Sequence, residues 1–141
     1  MKNLVDLLNK SINESNGVVY GIFGGYSDGE SKTPKTFDDI YMFTSSIDKA
    51  KKICREEDFG NEDFDFTFYE EVPCNINLNR FVATVCGYSK KKAGFVKVIS
   101  LHNKEKDANN FIKNMSEEEK LENKKLFDID SYEVLITMYE K

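Results

Sequence analysis

The sequence contains one histidine, His102, and three cysteines, and both scarcities restrict the chemistry open to the protein. Mechanisms that use a pair of histidines, and His-rich metal sites, are excluded because there is no second histidine. Cys54, Cys74 and Cys86 are odd in number and far apart in the sequence, so they indicate neither a disulfide framework nor a metal knuckle. We expect reduced, packed thiols, and neither a metal nor a cofactor.

Long apolar runs are also missing from the sequence. No stretch approaches the roughly 18 apolar residues that a membrane-spanning helix needs. The N-terminal apolar run is broken at Asp6, and no cleavage site typical of a signal peptide follows it. The sequence therefore predicts a cytoplasmic protein without membrane contact.

Acidic residues outnumber basic ones by 25 to 20, which gives a net charge of −5. This balance argues against nucleic-acid binding by the molecule as a whole, leaves a local basic patch open, and points towards solubility or basic partners. The 141 residues include 11 Phe, 7 Tyr and no Trp, and are 40% hydrophobic and 32% charged, which is typical of a globular chain. A chain of this length buries about two thirds of the surface of its unfolded form, so a single domain is predicted over 1–141.

The tripeptide Gly-Tyr-Ser occurs twice, at 25–27 and at 87–89, each time between two apolar runs. In both places a helix-like segment and a further strand-like run follow. We therefore predict an α+β fold of two tandem ββαβ-like units, spanning 17–73 and 80–141. The expected sheet has about six strands, mainly antiparallel, with helices packed on one face. Within 1–16, the stripe Leu4, Val5, Leu8 and Ile12 predicts an amphipathic N-terminal helix.

The individual elements follow from the period of the apolar residues. Strands are predicted at 18–23, 40–44, 64–72, 80–88, 94–101 and 132–139, where β-branched and aromatic residues form runs or alternate with polar ones. Helices are predicted from 47 to about 58, around 108–115, and from 116 to about 126. Ser45 or Ser46 caps the first helix, and Ser116 with Glu119 forms a capping box that begins the last.

A loop rich in glycine and hydroxyl groups follows the first predicted strand and is one candidate site. Its backbone amides, hydroxyls and lysine suit the binding of a phosphate. It lacks a Gly-Lys-Ser/Thr ending and no helix follows directly, so neither the P-loop nor the dinucleotide motif is matched. A glycine-permitted turn is the alternative interpretation. The candidate ligand-binding residues are Gly24, Gly25, Tyr26, Ser27, Asp28 and Lys32.

Between Arg55 and Glu71 the sequence carries eight carboxylates and one basic residue, with phenylalanines interleaved. Such a strip can imitate the charge of a nucleic-acid backbone and occupy a basic groove, although a solvated helix end and loop is the alternative. No EF-hand spacing is present. We name as the acidic strip the six predicted partner-binding residues Glu56, Glu57, Asp58, Glu62, Asp63 and Asp65.

Two further features carry less information. Lys90, Lys91 and Lys92 form a basic hairpin tip, but no aromatic residues flank it in an RNA-binding pattern, so a solvated turn is expected. His102 ends a predicted strand with no nucleophile identified near it, which predicts a surface or edge residue.

Residues 18–53 contain Val-Tyr-x-x-x-x-Gly-Tyr-Ser-Asp followed by Ile-Tyr-x-x-x-Ser-Ser-x-x-Lys-Ala. This segment resembles small uncharacterised proteins of phages and Gram-positive bacteria that carry Tyr-Ser-Asp between two strands, followed by a Lys-Ala helix. The chain departs from them by inserting 29–37 and by adding the second unit. The resemblance implies an α+β unit and a mobile-element setting, and it offers no known active site to carry over to this chain. The matching residues are Tyr26, Ser27, Asp28, Ser45, Lys49 and Ala50.

Residues suited to acid, base and nucleophile roles do not gather around any recognised motif. We therefore predict a non-enzymatic protein that binds a macromolecule. The specific expectation is a phage or mobile-element inhibitor of the anti-CRISPR kind, which engages a basic surface on a host nucleic-acid-binding defence protein. The alternative is a small-ligand or nucleotide-binding protein, or a small enzyme, that uses the loop from Gly24 to Lys32.

Overall fold

The computed structural model describes residues 17–25, 36–55 and 66–141. Its strands are β1 (Val18–Gly25), β2 (Asp39–Thr44), β3 (Phe66–Pro73), β4 (Phe81–Ser89), β5 (Gly94–His102) and β6 (Ser131–Glu140). Its helices are α1 (Ile47–Arg55), α2 (Glu105–Lys113) and α3 (Glu117–Phe127). The α+β class is confirmed. The predicted N-terminal helix lies outside the described residues.

The strands form one sheet of six in the order β3-β1-β2-β6-β4-β5. Neighbouring strands run antiparallel, except that β2 and β6 run parallel where Phe43 pairs with Tyr139 and Thr44 with Glu140. The prediction of a mainly antiparallel sheet of about six strands is therefore confirmed. β1, an unbroken apolar run in the sequence, lies inside the sheet between β3 and β2, as its composition predicts.

The sheet curls, so that its two halves enclose a common core. Phe37, just before β2, and Phe95 of β5 exchange backbone hydrogen bonds of 2.9 Å, although β6 and β4 separate β2 from β5 in the sheet. Phe23 lies at the centre of this core, with its ring centroid 4.5 Å from that of Phe37 and 5.3 Å from that of Phe68. The buried core residues are Val19, Phe23, Phe37, Ile40, Phe43, Val72, Cys74, Cys86 and Phe95.

The first two helices pack on the outer face of the curled sheet. Successive side chains of a strand point to opposite faces, so β1 turns Val19 and Phe23 inwards and Ile22 outwards. Ala50 of α1 packs against Ile22 and Met42, and Ala108 of α2 packs against Ala83 and Val85. Both alanines are fully buried, which lets each helix backbone approach the sheet closely.

The predicted helix caps are observed at α1 and α3. The Ser46 hydroxyl accepts a hydrogen bond from the Lys49 amide at 3.1 Å, and the Ser116 hydroxyl accepts one from the Glu119 amide at 3.1 Å. The α2 prediction begins and ends too late, because the helix spans Glu105–Lys113 and Met115 follows it. The Met115 amide bonds the Ile112 carbonyl in a tighter turn, which keeps the Met115 side chain buried without continuing the helix.

The segment 74–80 crosses from the edge strand β3 to β4. The Asn103 side chain accepts a hydrogen bond from the Asn79 amide at 2.7 Å and donates one to the Asn77 carbonyl at 2.8 Å. The Cys74 amide donates to the Gly17 carbonyl at 2.8 Å. These bonds fasten the crossing segment to both halves of the sheet.

Each half of the sheet contains a β-bulge at a corresponding place. In the first half the register shifts after Ile22, which pairs with Met42, while the next residue Phe23 pairs with Ile40 and skips Tyr41. In the second half, Val85 pairs with Ser100, while the next residue Cys86 pairs with Val98 and skips Ile99. An extra residue bends the strand that carries it, which is β2 in the first half and β5 in the second.

Candidate functional site

The acidic strip and most of the glycine-rich loop lie outside the described residues, including Tyr26, Ser27, Asp28 and Lys32. The residues that flank these segments are described. Gly25, at the end of β1, pairs with Phe66, at the start of β3. Segment 26–35 therefore leaves the sheet where segment 56–65, which contains the acidic strip, enters it.

The basic hairpin tip belongs to the same end of the sheet. A Cβ added at Gly94, which follows the tip, would lie 3.3 Å from the Cβ of Thr36, the first described residue after segment 26–35. We call this region the loop end of the sheet and define it by the strand termini Gly25, Phe66, Ser89 and Gly94. The structure thus places the residues that flank three separate candidate segments at one end of the sheet.

Gly24 and Gly25 are part of the sheet. Both are buried in β1, and Gly24 pairs with Asp39 on one side and with Thr67 on the other. The Gly24 carbonyl also accepts a hydrogen bond of 2.8 Å from the Asp38 amide. The two glycines therefore serve strand pairing, and a phosphate cradle would have to be formed by other residues of the loop.

At the loop end, the β4–β5 hairpin is fastened to the end of α3. The Lys124 ammonium binds Asp128 at 2.8 Å and Asp130 at 2.6 Å, and these hydrogen bonds lower the pKa of both carboxyls. The second Asp130 oxygen accepts from the Lys90 amide at 2.8 Å, and the buried Ser89 hydroxyl lies 3.4 Å from Asp128. These hydrogen bonds hold the start of the basic hairpin tip against the end of α3.

The three cysteines are free, and two of them have thiols with a raised pKa. Cys86 is fully buried, and burial together with the negative charges of Asp39 and Glu133 raises the pKa of its thiol. Burial also raises the pKa of Cys54. A raised pKa lowers the population of thiolate, which is the nucleophilic form.

His102 has a hydroxyl partner that the sequence analysis missed. It is the last residue of the edge strand β5, and its Nε2 lies 2.8 Å from the Ser100 hydroxyl. The spacing of two residues on a predicted strand was the available signal, because such residues share a face. Burial lowers the pKa of His102, while Asp107 raises it. None of the described hydrogen bonds joins Asp107 to the ring, so the third member of a catalytic triad is not in place.

Two apolar side chains lie exposed on the outer face, on the adjacent strands β4 and β6. Phe81 and Ile136 are 56% and 57% exposed, and Ile136 pairs with Ala83, which packs against α2 on that same face. The Arg80 guanidinium lies 5.9 Å from the centre of the Phe81 ring. Neighbouring apolar side chains in solvent are typical of a contact surface.

Cavities open at several places on the described surface. One of about 390 Å³, lined by Val18, Leu78 and Tyr139 among others, lies at the opposite end of the sheet from the loop end. One of about 190 Å³ separates the edge strands β3 and β5, with Phe23 among its lining residues. A third, of about 250 Å³, lies between β5, α2 and α3.

Over 17–25, 36–55 and 66–141, no group of three His, Cys, Asp or Glu side chains is placed to hold a metal ion. None of the helices in these ranges is long and apolar enough to span a membrane.

No protein-family model matches the chain, and neither does any curated protein or solved structure. The resemblance of residues 18–53 to small phage proteins therefore stays a prediction. Function has to be inferred from the arrangement of the chain's own residues.

Proposed function

We propose that the protein acts by binding a macromolecule and not by catalysis, and that it binds through the loop end of the sheet. The pairing of Gly25 with Phe66 carries this proposal, because it joins the glycine-rich segment and the acidic strip to one end of the fold. The Lys90–Lys92 turn begins and ends there too. Many charged groups anchored at one end suit a large charged partner better than a small ligand.

The partner we propose is a host defence protein with a basic, nucleic-acid-binding surface, which this protein blocks as a phage or mobile-element inhibitor of the anti-CRISPR kind. The acidic strip places six carboxylates and no basic residue within 56–65. Carboxylates at this density can occupy a groove that otherwise holds phosphates. The net charge of −5 favours the same approach.

The test is affinity capture from a host-cell lysate with the full chain, followed by charge reversal of Glu62, Asp63 and Asp65 to lysine. We expect affinity for the captured partner to fall about tenfold or more, because close charge pairs across an interface contribute about 1.5 kcal/mol or more each. Binding should also weaken as salt rises, since exposed charges are screened over about 8 to 10 Å.

The matched control reverses three exposed carboxylates outside the strip, Glu71, Glu105 and Glu118, and should leave the partner bound. If the affinity for the captured partner changes neither with salt nor with charge reversal of the acidic strip, the proposal that the strip imitates a nucleic-acid backbone is refuted. Failure to capture any partner would instead favour a small ligand held by the loop from Gly24 to Lys32. A nucleotide bound there at 100 times its dissociation constant would stabilise the fold by about 2.7 kcal/mol, and Asp28→Ala would abolish the effect.

We further propose that the two halves, 17–73 and 80–141, are copies of one ββαβ unit. In each half the first strand lies between the third and the second, as the order β3-β1-β2 followed by β6-β4-β5 records. The corresponding bulges and the fully buried Ala50 and Ala108 support the same proposal. In a crystal structure of the full chain, the two halves should superpose strand for strand. Unrelated backbone paths in the two halves would refute the duplication.

A further inference from the structure

The groove between β5, α2 and α3 combines an apolar floor with a charged rim. Ile99, Phe111 and Met115 form the floor, and Lys97, Glu119 and Glu122 stand around it. Its volume of about 250 Å³ is below the roughly 300–1,000 Å³ that is typical of small-molecule sites. The groove therefore suits a single long side chain better than a free metabolite.

The two glutamates are placed to receive a cation. Glu119 and Glu122 are three residues apart on α3, so they share one face of the helix and both turn towards the groove. Among the described ion pairs of α3, Lys120 binds Glu117 and Lys124 binds the two aspartates, and neither groove glutamate is used. Their charges are thus available to a ligand.

Two aromatic contacts border the groove. The Lys97 ammonium lies 4.3 Å from the centre of the Phe127 ring, which holds that lysine in a cation–π contact. The Phe111 ring on the floor packs against the His102 ring at a centroid distance of 5.4 Å. Burial lowers the pKa of His102, while the charge of Asp107 raises it.

We propose that this groove binds an arginine side chain presented by the partner protein. The methylene stem of the arginine would lie on Ile99 and Met115, and its planar guanidinium would stack on Phe111 and bind Glu119 and Glu122. Guanidinium is weakly hydrated, stacks on aromatic faces and bonds carboxylates in a fork, so arginine fits this site better than lysine. The inference rests on the proposed function for its basic partner, but it uses residues other than those of the acidic strip.

The test is an NMR titration of the full chain with N-acetyl-arginine methylamide and, as its neutral isostere, N-acetyl-citrulline methylamide. We expect the arginine probe to shift the signals of Ile99, Phe111 and Met115, and to bind at least about fivefold more tightly than the citrulline probe. Glu119→Gln with Glu122→Gln should weaken the arginine probe at least about fivefold. The control pair Glu117→Gln with Glu118→Gln, on the same helix but outside the groove lining, should not.

Equal binding of the two probes by the wild-type chain would overturn the proposal, and this comparison does not depend on any variant folding. Equal losses from the groove pair and the control pair would overturn it as well. No partner protein is present in the titration. Its failure would therefore refute arginine binding by the groove without contradicting the proposal that the protein binds a captured partner. Success of the titration without any captured partner would support the groove and count against the acidic strip.

Discussion

Replacing Phe23 with alanine should lower the free energy of unfolding by about 3–5 kcal/mol, the range for a buried phenylalanine whose loss leaves a cavity. Phe23 is 1% exposed, and its ring contacts those of Phe37 and Phe68. These neighbours come from opposite sides of β1, one before β2 and one on the edge strand β3. Their positions are fixed by strand pairing, so the core cannot collapse to fill the space.

Urea denaturation followed by circular dichroism measures this loss. Phe81→Ala is the matched control, because it removes the same side chain from the same sheet at a position that is 56% exposed. We expect the control to cost less than about 1 kcal/mol. Similar losses for the two variants would contradict the assignment of Phe23 to the centre of the core.

Gly87→Ala should destabilise the second half by about 1–3 kcal/mol through overpacking. A Cβ at residue 87 would lie 2.5 Å from Cδ1 and 2.8 Å from Cγ1 of Ile129. Ile129 is 3% exposed, and its neighbours are tied down, since the Asp130 amide bonds the Tyr88 carbonyl at 2.7 Å and the Asp128 amide bonds the Lys124 carbonyl at 3.0 Å. The Ile129 side chain therefore cannot easily move away from the added Cβ.

A double-mutant cycle with Ile129→Ala isolates this contact. Ile129→Ala alone should cost about 2–5 kcal/mol, but Gly87→Ala should cost nothing further in its presence, because the clashing side chain is gone. We expect a coupling of about 1 kcal/mol or more in thermal or urea unfolding. Gly94→Ala is the control glycine, since its Cβ would come no closer than 3.3 Å to Thr36. Additive costs within about 0.5 kcal/mol would show that Ile129 does not cause the effect.

The strands and the starts of α1 and α3 were predictable because their signals are local, whereas α2 begins at Glu105 without a side-chain cap to mark it. Alternation of apolar and polar residues marks β6 within about one residue of its observed ends. Ser116 directly precedes α3, and its hydroxyl accepts a hydrogen bond from the amide of Glu119, three residues later. The end of α2 was less predictable, since Met115 continues the apolar stripe although the backbone has already left the helix. A residue that is buried just beyond the end of a helix continues the apolar pattern in the same way as a residue inside it.

The repeat shows where sequence comparison loses precision. The repeated tripeptide aligns Gly25 with Gly87, but under the proposed duplication the bulges align Ile22 with Val85, and therefore Gly24 with Gly87. A one-residue shift exchanges the two faces of a strand, so side-chain direction decides the register. That direction depends on the core and cannot be read from a three-residue match.

The sequence by itself determined the elements, their composition and the separate acidic, glycine-rich and basic segments, because these depend on residues close together in the chain. Only the tertiary structure decided the strand order, the parallel contact of β2 with β6 and the curl that joins Phe37 to Phe95. These arrangements arise from contacts between residues far apart in sequence. Local patterns do not specify which distant strands pair, or in which register. The loop end and the groove between β5, α2 and α3 depend on the tertiary structure, so they could be found only in the folded chain.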